Sequence, residues 1–205
     1  MPSIYGLKPR FQNALRPVTR ALARVGVTAN QVTLAALILS FATGVVIFCS
    51  RAPRSLLLLP GVLFLRMALN AIDGMLAREY NQKTALGAIL NELGDVLSDS
   101  ALYLPLAVVP GFDSRLVVLI TLLAAISEMT GVIGVQIGAS RRYDGPMGKS
   151  DRAFAFGALG LLLGSGLPIV PLVPYVLWLV LVLLLSTIIN RARGALKESR
   201  GSLSR

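Results

Sequence analysis

The chain has 205 residues, of which 55% are hydrophobic and 15% are charged, and its mean hydropathy is +0.72. A water-soluble globular domain carries about 25% charged residues, and disordered chains have low hydrophobicity, so both classes are excluded. The sequence contains no histidine and one cysteine, Cys49, which excludes His-based catalytic sites, Cys-rich metal sites and an intrachain disulfide framework. The composition indicates an integral membrane protein.

Residues 1–27 predict an amphipathic helix that lies in the headgroup plane of the membrane. Apolar residues at helical spacing share one face: Leu7, Phe11, Leu15, Val18, Leu22 and Val25. Four arginines lie opposite: Arg10, Arg16, Arg20 and Arg24. This pattern favours burial of the apolar face among anionic lipids, and Pro17 is expected to kink or split the helix. The alternative is an amphipathic arm that packs on the protein's own bundle.

Six apolar runs follow, and each approaches the roughly 20 residues that a membrane-spanning helix needs. They cover residues 31–49, 55–77, 84–109, 115–139, 153–168 and 172–190. The run 176–189 does not alternate as the strands of a transmembrane β-barrel do. The predicted fold is therefore an all-α integral membrane domain over residues 1–205. It comprises the interfacial helix, a bundle of six transmembrane helices within residues 28–192, and a basic tail at residues 193–205.

The distribution of Lys and Arg predicts the orientation of this bundle. With both termini on one side, the opposite side holds Arg51, Arg54 and Arg115, whereas most other basic residues lie on the side of the termini. Basic loops stay in the cytoplasm, so the termini are expected to be cytoplasmic, in a bacterial inner membrane. Membrane orientation also accounts for the net charge of +10 without a nucleic-acid partner.

Five acidic residues fall inside the predicted spans: Asp73, Glu92, Asp95, Asp99 and Glu128. Ionisable residues there are costly and indicate function. Asn70, Asp73 and Ala77 share one face of the second span, and the third span presents Gly87, Asn91, Asp95 and Asp99 on one face. The polar turn at 79–83 predicts an antiparallel hairpin that brings these faces together below the cytoplasmic surface. Oxygen ligands of this kind suit Mg²⁺ or Mn²⁺.

The stretch from residue 70 to residue 95 reads Asn70-x₂-Asp73-Gly74-x₂-Ala77-Arg78-x₈-Gly87-x₃-Asn91-x₃-Asp95. It resembles the D-x₂-D-G-x₂-A-R-x₈-G-x₃-D-x₃-D signature of the CDP-alcohol phosphatidyltransferase family. Residues 26–33, which include Asn30, resemble the family's short lead into the first span. The sequence departs from this signature at two positions. Asn70 and Asn91 replace its first and third aspartates and contribute no negative charge. Asp99, one turn beyond Asp95, is the candidate to restore a carboxylate.

The resemblance implies transfer of a phosphatidyl group from CDP-diacylglycerol, or a related CDP-linked donor, to an acceptor hydroxyl, with release of CMP. It implies Asp95 as general base and a Mg²⁺ or Mn²⁺ site formed by Asp73, Asp95, Asn70, Asn91 and Asp99. It also implies a nucleotide-binding end formed by Asn30, Gly74, Ala77, Arg78 and Gly87. The implied partners are membrane lipids, a small alcohol or polyol phosphate as acceptor, and a second copy of the chain in a homodimer.

Four basic residues flank the fourth and fifth spans: Arg141, Arg142, Lys149 and Arg152. They resemble the basic region with which family members hold a phosphorylated acceptor, so a phosphorylated acceptor is predicted. The alternative is that they only mark the cytoplasmic side of the membrane. Glu128 is expected either to pair with a basic residue or to line the acceptor cavity.

Two other functions are compatible with intramembrane acids. One is a homologue that has lost catalysis, since two aspartates of the signature are missing. The other is a cation-coupled transporter, although no interrupted helix pair recurs in two halves of the sequence. Release of CMP distinguishes the transferase from both.

Overall fold

The computed structural model describes residues 7–203, and these residues form helices and loops without a strand. The helices are α1 (Leu7–Arg24), α2 (Ala29–Ser50), α3 (Leu58–Glu79), α4 (Ala85–Tyr103), α5 (Ser114–Gln136), α6 (Lys149–Gly164) and α7 (Val173–Leu203). Short 3₁₀ turns occupy Pro53–Leu57, Leu104–Val108 and Val170–Leu172. The all-helical fold is confirmed. Residues 1–6 of the predicted interfacial segment and residues 204–205 of the predicted tail lie outside the described residues.

Helices α2 to α7 form a ring in which each helix contacts two neighbours, in the order α2, α3, α6, α7, α5, α4 and back to α2. At Gly44 of α2 an added Cβ would collide with the carbonyl oxygen of Ala101 in α4, so glycine permits this close approach. By contrast, α3 and α4 pack on α2 rather than closely on each other. The predicted hairpin is therefore open, and polar side chains fill the space between its two helices.

Four segments are long and apolar enough to cross a membrane: Ala29–Ser50, Pro53–Glu79, Ser114–Gln136 and Val170–Gly201. The protein is a multi-pass integral membrane protein. Within residues 7–203, α4 and α6 do not reach this standard. Helix α4 carries Glu92, Asp95 and Asp99, and α6 has 16 residues that begin at Lys149. These two helices carry half of the charged residues that the sequence analysis places in the site: Asp95, Asp99, Lys149 and Arg152.

Helix α1 packs on α3 and continues through Pro17 without being split. The rings of Phe11 and Phe64 meet edge to face with centroids 5.9 Å apart, and Arg16 Nη1 lies 2.7 Å from Glu79 Oε2. One side of α1 thus packs on the protein's own bundle, which was the alternative to membrane burial. Val18 on α1 remains 49% exposed.

Helix α7 extends to Leu203 and includes residues 193–203 of the predicted basic tail. Ala195 is buried, and Glu198 accepts hydrogen bonds from the Ser140 backbone amide at 2.9 Å and from Arg142 Nη1 at 2.5 Å. The tail is helical because this last part of α7 packs on the loop between α5 and α6.

The start of α2 is tied to the turn between α3 and α4. Thr28 caps α2, with Gln31 completing a capping box. The Ala29 backbone amide donates to Gln82 Oε1 at 2.7 Å, and the left-handed φ of 56° at Asn81 closes the turn. These contacts place the residues that follow Thr28 beside the beginning of α4.

Candidate active site

The first carboxylate of the site is Asp73 on α3. It is 5% exposed, and its Oδ2 accepts a hydrogen bond from Thr33 Oγ1 on α2 at 2.8 Å. Thr33 also donates to the Ala29 carbonyl, one turn earlier in α2. The side chain of Asp73 is therefore oriented by the first turns of α2, at the end of the bundle where the turn 80–84 lies.

The second carboxylate, Asp95 on α4, contacts two other helices through one oxygen. Its Oδ1 accepts from Asn70 Nδ2 on α3 at 3.2 Å and from the ammonium group of Lys149 on α6. Arg66 Nη2 donates to the Asp95 backbone carbonyl at 3.1 Å. Asn70 and Asp95 lie at the same depth, as the predicted antiparallel arrangement requires.

The remaining motif positions lie toward the open end of the site. Asn91 is exposed, one helical turn before Asp95. A Cβ on Gly87 would lie 2.7 Å from Asn30 Oδ1, and one on Gly74 would lie 3.1 Å from Arg78 Nη2. Both glycines thus leave room for a polar side chain, and the Arg78 guanidinium folds back over α3. Arg78 is exposed and makes no ion pair with the described residues.

The oxygen donors at the motif positions are of the kind that hard divalent cations bind. Within residues 7–203, no three side chains among Asp, Glu, His and Cys gather closely enough to hold a metal ion. Two carboxylates, Asp73 and Asp95, are present, and the amide carbonyls of Asn70 and Asn91 are the further oxygen donors at the motif positions. The Lys149 ammonium lies against Asp95 and adds a positive charge beside these oxygens.

Asp99 lies deeper in the bundle and is held by two arginines. Arg66 Nη1 lies 2.5 Å from Asp99 Oδ1, and Arg152 Nη2 lies 2.8 Å from Asp99 Oδ2. All three side chains are at most 5% exposed. Since both carboxylate oxygens are paired, the geometry favours a role in anchoring α3 and α6 to α4 over the predicted role as a metal ligand.

Of the four basic residues expected to bind the acceptor, Arg141 and Arg152 both contact Glu128, whereas Arg142 and Lys149 pair with other carboxylates. Arg141 Nη2 lies 2.6 Å from Glu92 Oε2, and its guanidinium stacks over the ring of Tyr143. Arg142 is turned toward the surface, where its Nε lies 2.7 Å from Asp144 Oδ2. The hydrogen bonds from Arg142 hold the pKa of Asp144 below its usual range.

Arg152 and Lys149 share one face of α6 but reach different carboxylates. Lys149 contacts Asp95 in the site, whereas Arg152 is buried and contacts Asp99 and Glu128. Each of these two cations is therefore paired with a carboxylate of α4.

Glu128 on α5 is the centre of a second buried ion-pair cluster. Its oxygens lie 3.0 Å from Arg152 Nη2, 3.2 Å from Arg191 Nη1 and 3.5 Å from Arg141 Nη2. Of the two expectations for Glu128, pairing with basic residues is the one observed. The cluster joins α5, α6, α7 and the loop after α5.

Three residues of the site were not assigned from the sequence. Arg66 is a charged residue inside an apolar run, which is itself a functional signal, yet its partners are distant in sequence. Arg191 was read only as a marker of the cytoplasmic side, although it is 2% exposed. Thr33 entered only as part of the lead into the first span. No local pattern indicates that its hydroxyl meets Asp73.

Comparison with known proteins gives matches along most of the chain. It is 49% identical over 204 residues to inner membrane protein YnbA of Escherichia coli (strain K12), which covers 96% of this chain and 98% of that relative. It is 32% identical over 122 residues to phosphatidylinositol phosphate synthase of Mycobacterium marinum, covering 58% of this chain and 50% of that protein.

Solved structures of Mycobacterium tuberculosis phosphatidylinositol phosphate synthase (PgsA1) share the fold. The form in complex with manganese and citrate has a TM-score of 0.74 at 23% identity, covering 88% of each chain. The form with CDP-DAG bound has a TM-score of 0.72 at 23% identity and covers 87% of this chain and 92% of that one. Residues 26–196 match the family model described as CDP-alcohol phosphatidyltransferase. The chain belongs to the CDP-alcohol phosphatidyltransferase family.

Proposed function

We propose that this protein transfers a phosphatidyl group from CDP-diacylglycerol, or a closely related CDP-linked donor, to an acceptor hydroxyl and releases CMP. The observation that carries the proposal is the meeting of Asp73, Asn70 and Asp95 at one end of the ring, linked by the 3.2 Å contact between Asn70 and Asp95. Family membership supports the reaction type. The bound CDP-DAG of the mycobacterial synthase supports the choice of donor.

The donor's nucleotide and diphosphate fit the open end of the site. Gly74 and Gly87 have no side chain, and Ala77 has a small one, so a bulky group can approach the backbone of α3 and α4 there. The exposed guanidinium of Arg78 can make two parallel hydrogen bonds to a phosphate. Asn30, next to Gly87, supplies an amide for the nucleotide. The lipid tails of the donor would lie between helices in the membrane.

Asp73 and Asp95, with the amides of Asn70 and Asn91, would hold one Mg²⁺ or Mn²⁺ ion. When bound, such an ion neutralises charge on a diphosphate and on its leaving group. The Lys149 ammonium adds a positive charge on the α6 side of Asp95. Thr33 orients Asp73 through its hydroxyl.

The chemical step needs a base for the acceptor proton. In the proposed step the acceptor oxygen forms a bond to the phosphorus that carries the diacylglycerol, and the bond from that phosphorus to the CMP oxygen breaks. The acceptor proton passes to the Asp95 carboxylate, and CMP leaves with the bonding electron pair. Asp95 suits this role because it is 19% exposed in its side chain, whereas Asp99 is closed off by two arginines.

The test is release of CMP by the purified protein in lipid nanodiscs that contain CDP-diacylglycerol, Mn²⁺ or Mg²⁺, and a mixture of alcohols and alcohol phosphates. We expect CMP and a new phospholipid in equal amounts, and loss of both when EDTA is added. Absence of CMP under all of these conditions would contradict the transferase and favour a homologue that has lost catalysis or a transporter.

We further propose that all six helices α2 to α7 cross the membrane and that the site opens to the cytoplasm of an inner-membrane protein. Two contacts support an arrangement in which the helix ends gather at two opposite ends of the ring. Gln82 contacts Ala29 at one end, and Gly164 lies beside Leu57 at the other. The name of the Escherichia coli relative supports the inner membrane. Helices α4 and α6 would cross with their charged residues turned into the ring.

Cysteine labelling tests this topology in cells. In a Cys49→Ala background, Arg54→Cys and Lys83→Cys place single thiols at opposite ends of α3, and both positions are exposed. We expect a membrane-impermeant maleimide added to intact spheroplasts to label Arg54→Cys, and to label Lys83→Cys only after permeabilisation. The reverse pattern would place the site on the outer face of the membrane.

A further inference from the structure

The cations expected to bind an acceptor phosphate are already paired with carboxylates of the same chain. The pairs are Arg141 with Glu92, Arg142 with Asp144 and Glu198, Lys149 with Asp95, and Arg152 with Asp99 and Glu128. Each of these cations is therefore neutralised by at least one carboxylate of the chain itself. A net charge of +10 for the chain does not produce an open anion-binding site beside Asp95.

Glu128 occupies the position that an anionic ligand would take among these arginines. Its Oε1 lies 3.0 Å from Arg152 Nη2, and its Oε2 lies 3.2 Å from Arg191 Nη1. The Arg152 and Arg191 side chains are 1% and 2% exposed, and Glu128 is 9% exposed. Arg191 also donates to the Ser127 carbonyl at 2.5 Å, and Arg152 has further contacts to Ser127 Oγ and the Met147 carbonyl. Both guanidinium groups are thus held in place around Glu128.

Guanidinium groups gathered around one oxyanion are the arrangement with which proteins bind phosphate esters. In this chain the oxyanion is a side-chain carboxylate. A phosphate that entered the cluster would have to expel Glu128, and a buried carboxylate without partners is strongly unfavourable. If Glu128 stayed, the phosphate would meet a like charge at close range.

We infer that Glu128 fills the anion site of this bundle, so that the acceptor is an alcohol without a phosphate group. The inference rests on the proposed function, because it concerns the acceptor of that same transfer. It reverses the expectation of a phosphorylated acceptor, which followed from the resemblance of these basic residues to the region with which family members hold an acceptor phosphate. Arg78, which has no ion-pair partner among the described residues, serves the phosphates of the donor.

A binding experiment tests the anion site independently of turnover. Inorganic phosphate is titrated into three proteins that all carry Arg78→Ala, a substitution that removes the open guanidinium of the proposed donor site. One keeps Glu128, one carries Glu128→Gln and one carries Glu198→Gln, and heats of binding are measured in detergent. Glu198→Gln is the matched control. It also removes a carboxylate partner from an arginine, Arg142, but Glu198 lies at the exposed end of α7 and outside the Glu128 cluster. We expect saturable phosphate binding in the millimolar range with Glu128→Gln alone.

An acceptor panel tests the substrate class with the wild-type protein. Glycerol is compared with glycerol 3-phosphate, and inositol with inositol 1-phosphate, each with CDP-diacylglycerol and Mn²⁺, and CMP release is followed. We expect the unphosphorylated member of the active pair to have a kcat/KM at least about 10-fold higher, a difference of about 1.4 kcal/mol. If the Glu128→Gln protein cannot be purified in folded form, the acceptor panel tests the inference without the phosphate titration.

Three results would overturn the inference. They are saturable phosphate binding to the Arg78→Ala protein that keeps Glu128, no phosphate binding to the folded protein with Glu128→Gln, and preference for a phosphorylated acceptor. If no acceptor in the panel yields CMP, the proposed function fails, while the phosphate titration still decides whether Glu128 fills an anion site.

Discussion

Asp95→Asn and Asp73→Asn are each expected to lower the rate of CMP release by at least about 100-fold, the lower limit of general acid–base contributions. Asn at position 95 cannot take the acceptor proton, although it can keep the contact with Asn70. Asn at position 73 keeps the hydrogen bond from Thr33 but removes one of the two negative charges that would hold the metal ion. Initial rates of CMP release at saturating donor and Mn²⁺ measure both effects.

The matched control is Glu79→Gln, which also changes a carboxylate to an amide on α3. Glu79 pairs with Arg16 at the surface and is 37% exposed in its side chain, and exposed pairs contribute about 0–1 kcal/mol to stability. Its CMP release should match the wild type. Size-exclusion profiles and thermal unfolding should show all three variants folded. Near-normal turnover by Asp95→Asn would remove Asp95 from the role of base.

Asp99→Asn is expected to destabilise the protein rather than to change its metal requirement. The substitution leaves the guanidinium groups of Arg66 and Arg152 without their shared carboxylate inside the bundle. Removing one partner of a buried ion pair costs about 3–5 kcal/mol. Unfolding measured in mixed micelles should show this loss, and the Mn²⁺ concentration for half-maximal CMP release should stay at the wild-type value in the protein that remains folded.

Glu92→Gln provides the comparison on the same helix. Glu92 also pairs with an arginine, Arg141, but its side chain is 32% exposed, so the expected loss of stability is about 0–1 kcal/mol. Equal stability of Asp99→Asn and Glu92→Gln, together with a raised Mn²⁺ requirement in Asp99→Asn, would restore Asp99 to the metal site.

Much of the fold was predictable because its signals are local in sequence. An uninterrupted apolar run such as 176–189 has to become a helix in a membrane, since its backbone groups can be satisfied only within the segment. The residues Asn70 to Asp95 could be proposed as a site for a related reason. Their spacing places each set on one face of its helix, and a short turn joins the two helices.

The partners of the charged residues were not predictable in this way. Arg66 and Asp99 are 33 residues apart, and Arg191 meets the Ser127 carbonyl across 64 residues. No periodicity relates such positions, so a sequence shows their charges without showing which of them neutralise one another. For this reason the basic residues near α6 resemble a phosphate site in the sequence, although in the structure Glu128 lies among the arginines.

The sequence by itself determined that this protein is an all-helical membrane protein with the motif of the CDP-alcohol phosphatidyltransferases, because hydropathy and helical spacing are read residue by residue. The tertiary structure decided that Lys149 lies on Asp95, that Asp99 is enclosed by Arg66 and Arg152, and that Glu128 occupies the arginine cluster. Inside a bundle that excludes water, a buried charge must find a partner. Which partner it finds depends on the packing of helices that are far apart in the chain.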